Sequence, residues 1–165
     1  MIEVRIASVN ADASSGQPVL LLKPLDSEVE SSDSRLLPIW IGQPEASAIM
    51  LSLQGVDLPR PMTHDLLRDL IERLGYVVLR VEVTRLESGT YFAAIILRGE
   101  ECTVAIDARP SDAVALAVRA PCAIYVAEDV WAEAAVAVHA IDEAEAEVER
   151  FRAFLDHVDP SDFTS

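Results

Sequence analysis

The sequence predicts an α+β domain in which helices pack on a mixed, largely antiparallel sheet. Three observations predict it. Segments of strand character recur along most of the chain, some alternating apolar and polar residues and some short Val/Ile/Leu runs. Helical stripes interrupt them in the order strand–helix, helix–strand–hairpin, strand–helix–strand, which is not a regular βαβ alternation. Hydrophobic residues make up 51% of the 165, enough to bury the core of one domain.

Ile2, Val4 and Ile6 alternate with Glu3 and Arg5, the pattern of a half-buried strand. "NADASSGQP" is a turn, and "VLLL" is a second strand. The acidic stretch Asp26 to Ser34 reads as a loop, and "LLPIWIG" as a buried strand ending at Gly42. In "PEASAIMLSLQG", Pro44 suits a first helical turn and Gly55 a C-terminal cap. After the loop "VDLPRP", residues Leu66, Leu67, Leu70, Ile71 and Leu74 share one helical face, with Arg68, Asp69, Glu72 and Arg73 opposite; Gly75 stops that helix. Tyr76 to Thr84 is Val-rich and extended, "ESG" at 87–89 is a hairpin turn, and "TYFAAIIL" is the returning strand. "RGEE" turns into "CTVAI". The helix "SDAVALAVR" is apolar nearly all round and should be buried. "CAIYV" is a strand and "EDVWAEAA" a short helix.

The tail has a different character. Ala127 to Glu149 holds eight acids and no Lys or Arg. Beyond it Val148, Phe151, Leu155 and Val158 form a helical stripe that Pro160 ends, and Phe154 adds to its apolar content. The expected organisation is a domain over 1–135, then an acidic linker and C-terminal amphipathic helix over 136–165.

The formal charge is −15, and 12 of the 13 bases are arginine, Lys23 being the exception. Such a chain repels phosphate backbones at long range, so nonspecific binding of nucleic acid by electrostatics alone is not expected unless a divalent cation bridges the charges. Cys102 and Cys122 follow no metal or redox spacing and read as small buried thiols of a reducing cytoplasm. The start "MIEVRIASV" lacks the apolar core of a signal peptide, and no apolar stretch is long enough to span a bilayer, so a cytoplasmic protein without membrane contact is expected. Trp40 and Trp131 stand in no basic, aromatic-interleaved patch and are expected in the core or at an interface; His139 and His157 are expected in solvent.

Two helix starts resemble each other: "RPMTHD" from Arg60 and "RPSD" from Arg109, the latter preceded by Asp107. The repeat hints at an internal duplication, for which a duplicated half-barrel is one form. Capping explains part of it. Thr63 and Ser111 are favoured N-cap types, and Asp65 and Asp112 complement the helix dipole in the first turn. Glu45 has the same first-turn reading. Capping does not require Arg60, Arg109, His64 or Asp107. A buried Arg–Asp network stapling two loops would account for some of these. A site would account for all of them. Arg60 and Arg109, with Thr63 and Ser111, would hold a phosphate at helix N-termini. Asp65, Asp107 and Asp112, with Glu45, would supply oxygen ligands to Mg²⁺ or Mn²⁺. His64 would act as base or ligand, with Asp65, Asp107 and Asp112 completing the catalytic set.

Taken together, "LPIWIGQPEASAI", "RPMTHDLLRDLIERLG", "GTYFAAIIL" and "IDARPSDAVALAVR" resemble the bifunctional nuclease domain family, in the family's order and over roughly residues 1–135. The ending "VERFRAFLDHVDPSDF" is similar to the tail of bacterial members. The resemblance implies an α+β fold of its own type, self-association with a dimer favoured, and hydrolysis of DNA and RNA. The motif positions it carries over are Glu45, Arg60, Pro61, Thr63, His64, Asp65, Asp107, Arg109, Pro110, Ser111 and Asp112. Against a divalent-metal-assisted nuclease stands a noncatalytic regulatory or scaffold module, whose Arg–Asp motifs are structural and whose acidic tail binds a partner.

Overall fold

The computed structural model describes residues 1–12, 15–26 and 35–137. Its elements are β1 (Ile2–Ala11), β2 (Pro18–Pro24), β3 (Arg35–Trp40), α1 (Gln43–Leu53), α2 (Thr63–Arg73), β4 (Val77–Glu87), β5 (Thr90–Arg98), β6 (Thr103–Ala108), α3 (Pro110–Ala117), β7 (Ala123–Val126), α4 (Glu128–Ala134) and β8 (Val136–Ala137). The strands form one open sheet in the order β6-β5-β4-β7-β1-β2-β3-β8. Every neighbouring pair is antiparallel except β4–β7. The fold is the mixed, largely antiparallel α+β arrangement that the sequence predicts, and β8 carries the sheet to Ala137, just past the expected limit of the domain. His139, His157 and the apolar stripe from Val148 to Val158 lie outside the described residues.

The parallel pair explains the repeated helix start. In each repeat an Arg-Pro segment leads into a helix and then a strand: α2 into β4, and α3 into β7. Arg80 to Val83 lie in register beside Ala123 to Val126. With these strands parallel, the two helix starts come together: His64 at the start of α2 stands 3.1 Å from Asp112 at the start of α3.

The sheet is strongly curled. Tyr91 on β5 donates its hydroxyl to the Pro38 carbonyl on β3 at 3.1 Å. In sheet order β4, β7, β1 and β2 stand between those strands. At the usual strand spacing a flat sheet would hold them about 24 Å apart. Register shifts at Ile6/Ser8, Val78/Arg80 and Val83/Arg85 mark irregularities of the kind that bend strands. The β4–β5 turn uses Ser88 and Gly89, both at positive φ (50° and 78°), the combination a two-residue hairpin turn requires.

Helix α3 lies within this curl. It packs on β4, β5 and β7, with α1 and α2 also against it. All of its residues but Asp112 are buried, as its all-round apolar sequence predicts. Leu20 and Leu22 from β2, Leu37 from β3, Ile49 from α1 and Val81 and Val83 from β4 complete the centre of the core.

Four expectations change. The N-cap residues are Met62 and Arg109, not Thr63 and Ser111. Pro110 occupies the first helical position and holds its predecessor extended, which moves the cap back to Arg109 and leaves Ser111 inside the helix. Only Ile71 of the apolar face of α2 is buried, and Leu67 packs against the core; Leu66, Leu70 and Leu74 are exposed, because α2 meets the core over a narrower strip than its stripe. Trp131 is buried in the core, whereas Trp40 at the end of β3 is on the surface, so of its two expected places the core is the one ruled out. Cys102 is exposed too, while Cys122 is half-buried and burial pushes its thiol up to about 11.

Candidate active site

Each of the first three helices carries a carboxylate at its third position: Glu45 in α1, Asp65 in α2 and Asp112 in α3. This is where an acid complements the dipole and reaches back to the cap. Two of the three meet. Arg109 donates from Nε to Asp112 Oδ2 at 2.7 Å, and from Nη2 to Glu45 Oε1 at 2.6 Å and Asp112 Oδ1 at 3.1 Å. His64, from the start of α2, places Nε2 3.1 Å from Asp112 Oδ1. Three helix starts therefore converge on one cluster: Glu45, Arg109, Asp112 and His64.

The cluster is graded in exposure. The Arg109 side chain is 65% exposed, Asp112 29%, Glu45 14% and His64 10%. Arg109 forms the outer surface and His64 the inner support. The hydrogen bond from Arg109 holds the Glu45 carboxyl below its ordinary value. Burial works to raise Asp112, but hydrogen bonds from Arg109 and His64 outweigh it and keep that carboxyl low as well. Asp112 first, then Glu45, push the Arg109 guanidinium up. Two carboxylates against one guanidinium leave a net charge of −1 before His64 is counted.

Gly42 serves Glu45. Its backbone angles are ordinary, with φ −74°, so no left-handed geometry demands a glycine. The space does: a Cβ there would collide with Glu45 Oε2, which folds back over the helix start. Gly42→Ala should therefore dislodge the Glu45 carboxylate from Arg109. The expected result is a roughly 10- to 100-fold loss of any activity the cluster supports, since small misplacements near the chemistry cost that much. The circular dichroism spectrum should stay that of the wild type; full activity in the Gly42→Ala variant would remove Glu45 from the site.

The other predicted residues are elsewhere. Asp65 accepts from the Met62 N–H at 2.8 Å and from Arg119 Nε at 2.6 Å. Arg119, which the sequence reading missed, is buried and also donates to the carbonyls of Ala115 at 2.8 Å and Ala48 at 2.9 Å. It staples α1, α2 and α3 together. Its signal was the charge that directly follows the apolar run Ala113–Val118, since a charge carried into a core needs a partner. Arg60 lines a groove of about 380 Å³ beside Arg68 and Arg119, whereas Arg109 lines a different cavity, so the expected phosphate pair is split. Asp107 is exposed on β6 and, among the described residues, makes no ion pair with the cluster. Thr63 is exposed at the start of α2, and Ser111 is buried behind Arg109. Among the described residues no three His, Cys, Asp or Glu side chains come together as a metal site, so the four-ligand set Asp65, Asp107, Asp112 and Glu45 does not assemble; Glu45 and Asp112 are the pair that Arg109 joins.

Comparisons with known proteins point to one family. The model of the bifunctional nuclease domain matches residues 27–139. An uncharacterized protein of Mycobacterium tuberculosis (strain H37Rv) is 44% identical over 170 residues, covering 99% of this chain and 98% of its own. Bifunctional nuclease 1 of Arabidopsis thaliana is 32% identical over 113 residues, 66% of this chain and 33% of that protein. Bifunctional nuclease 1 of Oryza sativa subsp. japonica is 29% identical over 102 residues, 60% of this chain and 31% of that protein. The match thus spans about a third of the plant proteins' length.

Proposed function

The chain belongs to the bifunctional nuclease domain family, and from that membership and its polar cluster we propose that it hydrolyses phosphodiester bonds of DNA and RNA with the help of Mg²⁺ or Mn²⁺. The observation that carries the proposal is the convergence of three helix starts on Glu45, Arg109, Asp112 and His64 at the surface. Arg109 is the most exposed member and is the group that meets a phosphate oxygen. Glu45 and Asp112 would hold the cation, in keeping with magnesium sites built from one or two carboxylates completed by water and substrate phosphates. When bound, the cation offsets the negative charge of the cluster and polarises the phosphoryl oxygen. Asp112 orients His64, and His64 takes the proton of the attacking water. Asp65 and Asp107 have no part in this reading.

The test is cleavage of end-labelled single-stranded DNA and RNA by the purified chain, with Mg²⁺, with Mn²⁺ and with excess chelator. Cleavage should need the cation and stop with the chelator. Cleavage that survives chelation ends the metal-assisted mechanism.

One observation favours a second reading. Arg109 is already held by two carboxylates, and no three potential ligands converge among the described residues. A noncatalytic scaffold module would have this network as a clasp between helices, and its acidic tail as the partner-binding element. Cation-dependent cleavage separates the two. The exposed stripe Leu66, Leu70 and Leu74 supports self-association as a dimer. Among the described residues no helix is long and apolar enough to cross a membrane, and a cytoplasmic location is part of the proposal.

A further inference from the structure

A cavity of about 260 Å³ opens beside the cluster and shares Arg109 with it. The end of β3, the β4–β5 turn and the start of α3 bound it. Trp40, Thr90, Tyr91 and Ser111 are among its walls. The chain has two tryptophans. Trp131 is 8% exposed, and Trp40 is 52% exposed. A tryptophan this open, lining one cavity with the Arg109 guanidinium and with Thr90, offers a ligand an aromatic face with polar groups around it. That suits a flat ring with hydrogen-bonding edges and an attached phosphate.

We propose that this cavity is a nucleobase subsite in which an unpaired base stacks on Trp40 while its phosphate lies at Arg109. The inference rests on the nuclease reading for its ligand class and adds the residue that selects it. The charge of the protein favours such a subsite. At −15 there is no general electrostatic pull on a polyanion, so beyond a bridging cation affinity comes from contacts that do not depend on net charge. Base stacking is such a contact, and it accepts any base because each has a π face. It also discriminates. Within a duplex the faces are covered by neighbouring bases, so Trp40 selects unpaired strands and ends.

Trp40 emission reads the binding directly. The full chain is titrated with a six-nucleotide oligothymidylate carrying phosphorothioate linkages, and with the same backbone lacking its bases. Wild type, Trp40→Phe and Trp40→Ala are compared, thermal melts confirm that each is folded, and binding to the two variants is followed by anisotropy of a labelled strand. The intact strand should quench wild-type emission saturably. The abasic strand should bind about 5- to 100-fold more weakly, as should the intact strand to Trp40→Ala, while Trp40→Phe keeps most of the affinity. Equal binding of both strands, or an unchanged affinity of folded Trp40→Ala, overturns the subsite. Cleavage by a wild type whose binding is indifferent to Trp40 overturns it and leaves the nuclease reading intact. Trp40-dependent binding without cleavage in any cation supports the subsite and removes the nuclease reading.

Discussion

Asp112→Asn should lower cleavage of DNA and RNA by about 10²–10⁴-fold, the range for disabling the general base that it orients, with little change in melting temperature. Asparagine is nearly isosteric. Its carbonyl oxygen can still receive the His64 N–H, and the helix keeps a first-turn polar group. What goes is the charge that two Arg109 contacts and the proposed cation require. His64→Ala should fall in the same range if His64 takes the proton from water. A pH–rate profile then distinguishes a base from a support: losing the base removes one limb of the profile, whereas losing a support lowers the rate at every pH. Asp107→Asn should cleave like wild type, because Asp107 is exposed on β6 and outside the cluster. Wild type and all three variants must be purified side by side, since contaminating nucleases are a hazard. Wild-type rates in both Asp112→Asn and His64→Ala would dismiss the cluster as the site.

The fold was legible because its information is local. Alternation marked β1, the Val-rich run and its turn marked the β4–β5 hairpin, and the uninterrupted apolar character of "AVALAV" marked a helix surrounded by protein. The curl of the sheet was not legible. It depends on register shifts and on Tyr91 reaching Pro38, a contact between residues far apart in sequence. The exposure of Leu66, Leu70 and Leu74 escaped for a similar reason: periodicity gives the apolar face of a helix but not how much of it meets a neighbour.

The candidate site was half legible. Its composition was readable, since Arg109 exceeds what a cap needs and the repeated helix start pointed to one end of the sheet. Its partition was not. Adjacent residues on α2 go to different partners, His64 to Asp112 and Asp65 to Arg119. One turn of helix thus divides between the exposed cluster and the buried staple. Spacing in the sequence treats the two as one motif; only the position of Arg119 separates them.

That partition predicts unequal consequences for two arginines. Arg119→Ala should destabilise the fold by about 2–4 kcal/mol, since it empties a buried site and takes the donor from two carbonyls, while Asp65, 27% exposed, keeps water and the Met62 N–H. The expected fall in melting temperature is on the order of 10 °C for a chain of this size. Asp65 would lose its guanidinium, and the carbonyls of Ala115 and Ala48 would lose a donor. Arg109→Ala should cost less, about 1–2 kcal/mol, because the exposed guanidinium contributes little packing, although it leaves Glu45 and Asp112 without their shared partner. The double variant Asp65→Asn with Arg119→Met should regain part of the loss. It removes both charges, fills similar volume and keeps an acceptor for the Met62 N–H. The pH dependence follows the same pair. Burial works to raise the Asp65 carboxyl, but the Met62 N–H and Arg119 hold it below the ordinary 3.8. A carboxyl lowered by folding contributes stability that is complete above its unfolded value and is lost as pH falls through its folded value. Wild type should therefore lose this contribution as acid is taken below about 3.8, and the double variant, having no charge at residue 65, should not show that part of the slope. Urea melts across that interval measure it, and parallel curves for the two proteins would mean that Asp65 draws nothing from Arg119.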